Sequence, residues 1–185
     1  VGVIALEDLR VYSRNARLHS ADQIDQIVAS IREFGWTNPL LIDVSDDGLI
    51  VAGHGRRAAA HKLYAAGEMI RLPDGRLLPP GTVPFVDCSG WTEEQRRAYT
   101  IADNKLAENA TWDESLLKLE LGELSTAGLD FDIGVIGFDA KKLGKILTLD
   151  AGDKEAPEEF PEFDETVETD HQCPKCGYAW SGKPK

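Results

Sequence analysis

Four apolar residues, Leu49 to Ala52, run into Gly53-His54-Gly55-Arg56-Arg57. That turn runs into an alanine-rich stretch, Ala58 to Ala66, stopped by Gly67. The apolar run has strand length, and the alanines favour helix. A strand that feeds a helix through a glycine turn commits the chain to a mixed α/β (α+β) architecture, a small sheet with flanking helices. The junction is also the strongest chemical signal in the sequence. Glycines let the backbone approach a ligand closely, and a helix start offers free amides and the positive end of its dipole. Two arginines add charge-assisted, bidentate donors. The set suits a phosphate group. No Gly-Lys-Ser/Thr follows, so it is not a Walker A loop, and the third glycine of a dinucleotide fingerprint is absent. The bland alternative is a solvated turn with two surface arginines, although cations at a helix start oppose the dipole.

The flanking pattern supplies the other elements. Val1 to Leu9 reads as a short strand and turn, and Val11 to Leu18 as a polar connector. Ser20-Ala21-Asp22-Gln23 is a capping box ahead of Ile24, Ile27, Ile31 and Phe34 at helical spacing, with Gly35 as the C-terminal cap. Pro39 to Val44 and Leu49 to Ala52 form a hairpin across Ser45-Asp46-Asp47-Gly48. Asp74-Gly75 turns a small hairpin between Ile70–Leu72 and Arg76–Leu78. Val83 to Asp87 is a strand whose Pro84 marks a beginning or an edge. Thr92-Glu93-Glu94-Gln95 starts a helix reaching about Ala107, and Asp113 caps a leucine-rich helix ended by Gly128. Asp139 caps a short one over Ala140 to Leu147. Phe34, Trp36 and Phe138 are expected to pack, and His61 to be a surface or packing histidine.

At 185 residues the chain suffices for one full domain and a small appendage. The run Pro39 to Val44 is far too short to span a bilayer, so no membrane partner is expected. No charged and then apolar opening suggests a secretory signal. Three cysteines, Cys88, Cys173 and Cys176, argue against a disulfide scaffold and for a reducing, cytoplasmic setting. The net charge is −12 and uneven: residues 1–150 hold 23 acidic and 16 basic side chains, and residues 151–185 hold 9 and 4. No basic field covers the whole molecule, so strong non-specific duplex binding is not expected, while a local basic pocket stays open. Residues 139–149 read as a short terminal helix. Residues 150–170, with ten acids among 21, read as a disordered acidic linker able to occupy a basic cleft in place of nucleic acid.

Three further segments carry candidate chemistry. Ile101-Ala102-Asp103-Asn104-Lys105 puts two poor helix formers inside a helix, where Asp103, Asn104 and Lys105 would meet Mg²⁺ and a phosphate; the alternative is an exposed helix face. Arg14-Asn15-Ala16-Arg17-Leu18-His19 would deliver basic groups to the same cleft, or is a polar loop. Residues 171–185 read as a zinc-knuckle-like tail. There Cys173-Pro174-Lys175-Cys176-Gly177 offers two thiolates to Zn²⁺ and His171 a third ligand. A fourth ligand is missing, so a second subunit, Asp170 or water completes the site, or the tail holds two free thiols.

These residues carry a family resemblance. The chain resembles the N-terminal domain of ParB-type partition proteins, within the ParB/sulfiredoxin superfamily, over about residues 3–138. Ala29-Ser30-Ile31-Arg32-Glu33-Phe34-Gly35 with Pro39-Leu40-Leu41-Ile42 is similar to the family's first box. Gly53-His54-Gly55-Arg56 sits where partition proteins carry Gly-Glu-Arg-Arg, Asp103-Asn104 where they carry Glu-Asn, and Arg17 where they carry Gln-Pro-Arg. The nearest flavour is the stand-alone or methylase-fused type of phages and mobile elements.

The resemblance implies that residues 1–138 are a nucleotide-binding domain. Arg17, Gly53, His54, Gly55, Arg56, Arg57, Asp103, Asn104 and Lys105 would surround a nucleoside triphosphate with Mg²⁺. In partition proteins that nucleotide is CTP. It implies a switch or slow NTPase in phage or mobile-element DNA biology. The alternatives are a DNA-associated adaptor or nuclease working with a DNA methylase, and a small-molecule kinase of the free-serine-kinase type, whose catalytic base the sequence does not assign. A homodimer is among the implied partners. The sequence departs from the pattern at Ala107, which replaces the arginine of Glu-Asn-x-x-Arg, and at His54, which fills the slot of the sulfiredoxin cysteine. Two leucine-rich helices and an acidic tail follow in place of the partition proteins' helix-turn-helix.

Overall fold

The computed structural model describes residues 1–148 and the backbone of residues 171–172 and 179–180. Four strands form one mixed sheet: β1 (Gly2–Ala5), β2 (Leu40–Asp43), β3 (Leu49–Ala52) and β4 (Thr82–Asp87), in the order β1-β4-β2-β3. β1 is antiparallel to β4, β4 parallel to β2, and β2 antiparallel to β3. Five α-helices accompany it: α1 (Ala21–Phe34), α2 (His54–Ala65), α3 (Glu93–Asn109), α4 (Glu114–Thr126) and α5 (Ala140–Leu147). The small mixed sheet with flanking helices agrees with the fold class read from the sequence.

Apolar patterning places the core between the sheet and the α1–α2 pair. Val28 and Ile31 of α1 and Ala59, Ala60 and Leu63 of α2 meet Leu40, Ile42, Ile50 and Val83 of the strands, with Trp36, Ile70 and Leu78 closing the ends. Each fully buried Leu or Ile there contributes roughly 1.5–3 kcal/mol. Tyr64 Oη donates to the carbonyl of Thr82 at 2.8 Å and ties α2 to the start of β4.

Pro84 lies in an interior strand, contrary to the expectation of a beginning or an edge. The parallel ladder to β2 starts one residue later, at the Leu40–Phe85 pair, so the missing amide falls outside it. The expected hairpin after Ile70 is present in minimal form: Arg71 bridges Leu77, Leu72 N donates to Arg76 O at 2.7 Å and Leu78 N to Ile70 O at 2.8 Å. β3 is the outer strand, and its free edge is covered. Ile50 N donates to Arg10 O at 2.9 Å, and the Thr100 hydroxyl of α3 donates to Val51 O at 3.1 Å.

The caps read from sequence hold at Ser20, Thr92, Asp113 and Asp139. The box at Ser20 is only half closed. Ser20 Oγ accepts from Gln23 N at 3.1 Å, but Gln23 Oε1 meets His19 Nδ1 at 2.9 Å. α4 and α5 pack on each other, and a 3-10 turn at Ile133–Ile136 precedes α5. Phe138 is half-buried against Trp112, and Phe34 meets Phe131 edge to face at 5.9 Å. Trp36 is buried and His61 exposed.

Separately, the backbone of His171–Gln172 pairs antiparallel with Ala179–Trp180. The acidic linker and the two tail cysteines lie outside the described residues. No helix among the described residues is long and apolar enough to cross a membrane.

Candidate functional site

The turn after β3 is tighter than its sequence suggests. Gly53 is the N-cap of α2 in left-handed conformation (φ 100°), so the helix begins at His54 and Arg56 and Arg57 lie in its first turns. A Cβ on Gly53 would stand 2.5 Å from Leu40 Cδ2 and 3.0 Å from Arg56 Nη2. A Cβ on Gly55 would stand 3.0 Å from both the His19 ring and Ile27 Cδ1. Both glycines therefore leave space that neighbouring side chains fill.

This turn forms the floor of a small lobe of about 130 Å³. Gly53, His54, Gly55 and Arg56 line it from α2, Arg17 and His19 from the connector, and Asp103 and Asn104 from α3. Three segments distant in sequence thus line one lobe. Arg57, one residue further along α2, does not line the lobe. Lys105 lines a second lobe of about 320 Å³ with Tyr12, Arg14, Arg97, Thr100, Ile101 and Glu108. Asn15, Arg17 and Asn104 border both lobes, so the two form one cleft. Tyr12, Arg97, Thr100 and Glu108 were not singled out from the sequence. Stepping back by helical turns from Asn104 to Thr100 and Arg97 finds two of them.

The electrostatics are unbalanced in one direction. Arg56 and Arg57 take part in no ion pair among the described residues, and the Nε of each is buried without a hydrogen-bond partner. The one hydrogen bond of Arg56 is a long 3.4 Å contact to Pro39 O. Burial lowers the pKa of Arg56, opposed by Asp103 and Tyr99, and burial also lowers that of Arg57. His54 Nε2 is likewise enclosed and unpartnered, and burial, then His19 and Arg57, lower its pKa to about 4.

Arg17 by contrast is paired with Glu108 across the cleft. The two carboxylate and amide groups of the Asp103–Asn104 pair are differently placed. Asn104 Nδ2 donates to Thr100 O at 2.9 Å, which leaves its Oδ1 for other partners, and Asp103 lines the same lobe. One carboxylate and one amide oxygen fit the few protein ligands that Mg²⁺ takes alongside phosphate oxygens. No group of three or more His, Cys, Asp or Glu able to hold a metal occurs among the described residues.

α3 is held in place by a second network. Asp43, 1% exposed, pairs with Arg96, and its Oδ1 accepts from Ser45 N at 2.9 Å and Ser45 Oγ at 2.6 Å. Arg96 also reaches Asp46 at 3.5 Å, and Asp46 pairs with Arg10.

Known proteins are similar to this chain in sequence and in fold. The ParB-like nuclease domain-containing protein YnaK of Escherichia coli (strain K12) is 44% identical over 92 residues, half of this chain and 86% of that protein. The crystal structure of C-terminally truncated chromosome-partitioning protein ParB from Caulobacter crescentus, complexed with CTP-gamma-S, superposes with a TM-score of 0.51 at 22% identity. The match covers 68% of this chain and 63% of that one. Residues 115–170 match the family model described as ParB-methyltransferase HTH domain. The stretch read as leucine-rich helices and an acidic tail in place of a helix-turn-helix is thus itself similar to one. With 86% of a relative's length matched at 44% identity on a shared fold, the chain belongs to the ParB-like domain family.

Proposed function

We propose that the two-lobed cleft binds a nucleoside triphosphate with Mg²⁺, and that the domain acts as a nucleotide-dependent switch or slow NTPase. The phosphates would lie over Gly53–Gly55, with Arg56 and Arg17 as donors. Asp103 and Asn104 Oδ1 would face the cation, which neutralises phosphate charge when bound. The base would occupy the wider lobe between Tyr12 and Ile101. What carries this reading is Arg56: a half-buried guanidinium at a helix start, with its Nε enclosed without a hydrogen-bond partner and no ion pair among the described residues, is a costly arrangement that the more distant Asp103 only partly offsets, and an anion relieves it. The CTP analogue in the superposable partition protein supports the same ligand class. Thermal shift of the full chain with each NTP and Mg²⁺ tests it, because a ligand of the native state raises the midpoint by mass action. No rise with any NTP at millimolar concentration would reject it.

A DNA-associated adaptor is the second reading. α5 carries Lys141, Lys142 and Lys145 exposed in a chain of net charge −12, within the segment matched by the HTH model. Lysines of this kind bind phosphate backbones with strong salt dependence. Neutralising the three should abolish low-salt duplex binding by the full chain; unaltered binding would exclude α5 as the contact.

A further inference from the structure

We propose that occupancy of the glycine lobe by a phosphate-type anion is coupled to uptake of one proton by His54, whose imidazolium then joins the arginines as a donor to the anion. This rests on the anion reading above and adds how the site selects a protonation state. His54 is the first residue of α2 and lines the lobe, and its Nε2 is enclosed with no partner. The charged and titratable groups around it are Arg17 and His19 of the connector, Arg56 and Arg57 of its own helix, and Asp103 of α3. α1 contributes only the apolar Ile27 to the lobe, and β3 only Val51 and Ala52. Cations thus outnumber the single carboxylate lining the lobe.

In the free chain burial, with His19 and Arg57 adding to it, lowers the His54 pKa to about 4, so the imidazole is neutral at pH 7. A bound anion reverses the electrostatic part, because a negative charge beside an imidazole favours its protonated form. The arginines are already protonated and cannot take up a proton from solvent. His19 has its Nδ1 engaged by Gln23 Oε1 and its ring pressed against Gly55, so it is the less adaptable of the two histidines.

The test follows the imidazole Cε1–H resonances of the full chain by NMR between pH 3.5 and 8, with and without saturating sulfate, which does not titrate in that range. His54→Gln assigns the signal. The expected result is a rise of the His54 midpoint by at least one pH unit, a tenfold gain in proton affinity. Sulfate binding should tighten about twofold from pH 7 to pH 5 and further toward pH 4, and that tightening should vanish in His54→Gln. The proposal is overturned if sulfate shifts the Gly53–Arg57 amides yet leaves the His54 midpoint unmoved, or if the tightening persists in His54→Gln. Amides that do not respond to sulfate at all defeat the anion reading as well.

Discussion

Thr100 Oγ1 donates to the carbonyl of Val51 at 3.1 Å, and this bond sets where α3 crosses the end of β3. Gly53 follows Val51 by two residues, and Asp103 and Asn104 follow Thr100 by three and four. One buried hydroxyl therefore registers both halves of the small lobe. Thr100→Val keeps the shape and removes the donor. Loss of one such bond costs about 1 kcal/mol and leaves a carbonyl unsatisfied. We expect a lower Tm and weaker anion binding together; binding lost with Tm unchanged would give Thr100 a direct role.

The Asp43–Arg96 pair should matter more to stability than any surface ion pair of this chain. Asp43 is 1% exposed and Arg96 17%, so removing the cation strands a buried carboxylate. Breaking such a pair costs about 3–5 kcal/mol. Arg96→Met should show this in denaturant melts. By comparison, Arg76→Ala, which removes an exposed partner of Asp74, should cost under about 1 kcal/mol.

Arg56 should separate binding from stability. Arg56→Met removes a charge-assisted donor worth about 1.5–3 kcal/mol, which lowers nucleotide or triphosphate affinity by about one to two decades. The same change removes a half-buried cation that makes no ion pair among the described residues, so Tm should stay level or rise. Calorimetry and thermal melts of one variant check both halves. A large fall in Tm would mean that the guanidinium is a structural post.

How much of this was legible in the sequence follows from the range of the interactions. Ser20, Thr92, Asp113 and Asp139 announce their helices because a cap is satisfied within three residues. The Gly53 turn is visible because glycine answers a local backbone need. Asp43 with Arg96, or Thr100 with Val51, are pairs about fifty residues apart, and no periodicity couples them. Pro84 misled because local rules disfavour it in a sheet interior, while the register that accommodates it is set by β2. Gln23 closes on His19 rather than on its own cap because the connector folds back over the turn.

Acid should weaken the fold in two stages. The folded pKa of His54 is about 4, below the ordinary 6.5, owing to burial, His19 and Arg57. The unfolded chain therefore takes the proton first, and stability falls as pH drops from about 6.5 toward 4. Exposed His61, lowered by burial and Arg57, adds in the same direction. Glu68 and Glu108, lowered by Arg32 and Arg17, lose their pairing only below the carboxylate range near 4.5, so their effect comes later. Tm measured at pH 7.5, 6 and 5 should decline, and His54→Gln should flatten most of that decline. A profile level down to pH 5 would mean that His54 is hydrated in solution.

His171 pairs with Trp180 and Gln172 with Ala179, and Cys173 and Cys176 fall between these paired segments in sequence. Cys-x-x-Cys is a spacing at which two thiolates reach one tetrahedral ion. A unit of about ten residues buries too little surface to hold itself, so a metal or a docking partner must order it. We propose Zn²⁺ there. The tail offers two thiolates, with His171, Asp170 or water besides, and a dimer that brings four thiolates to one ion is the all-sulfur way to complete the coordination. Elemental analysis of untagged protein should then give about half a zinc per chain, and Cys173→Ser should both release the metal and shift the hydrodynamic size to that of a monomer. One zinc per chain on a monomer would instead assign a self-contained site using His171. Metal-free protein whose two thiols react freely with a thiol reagent would leave the tail without a metal.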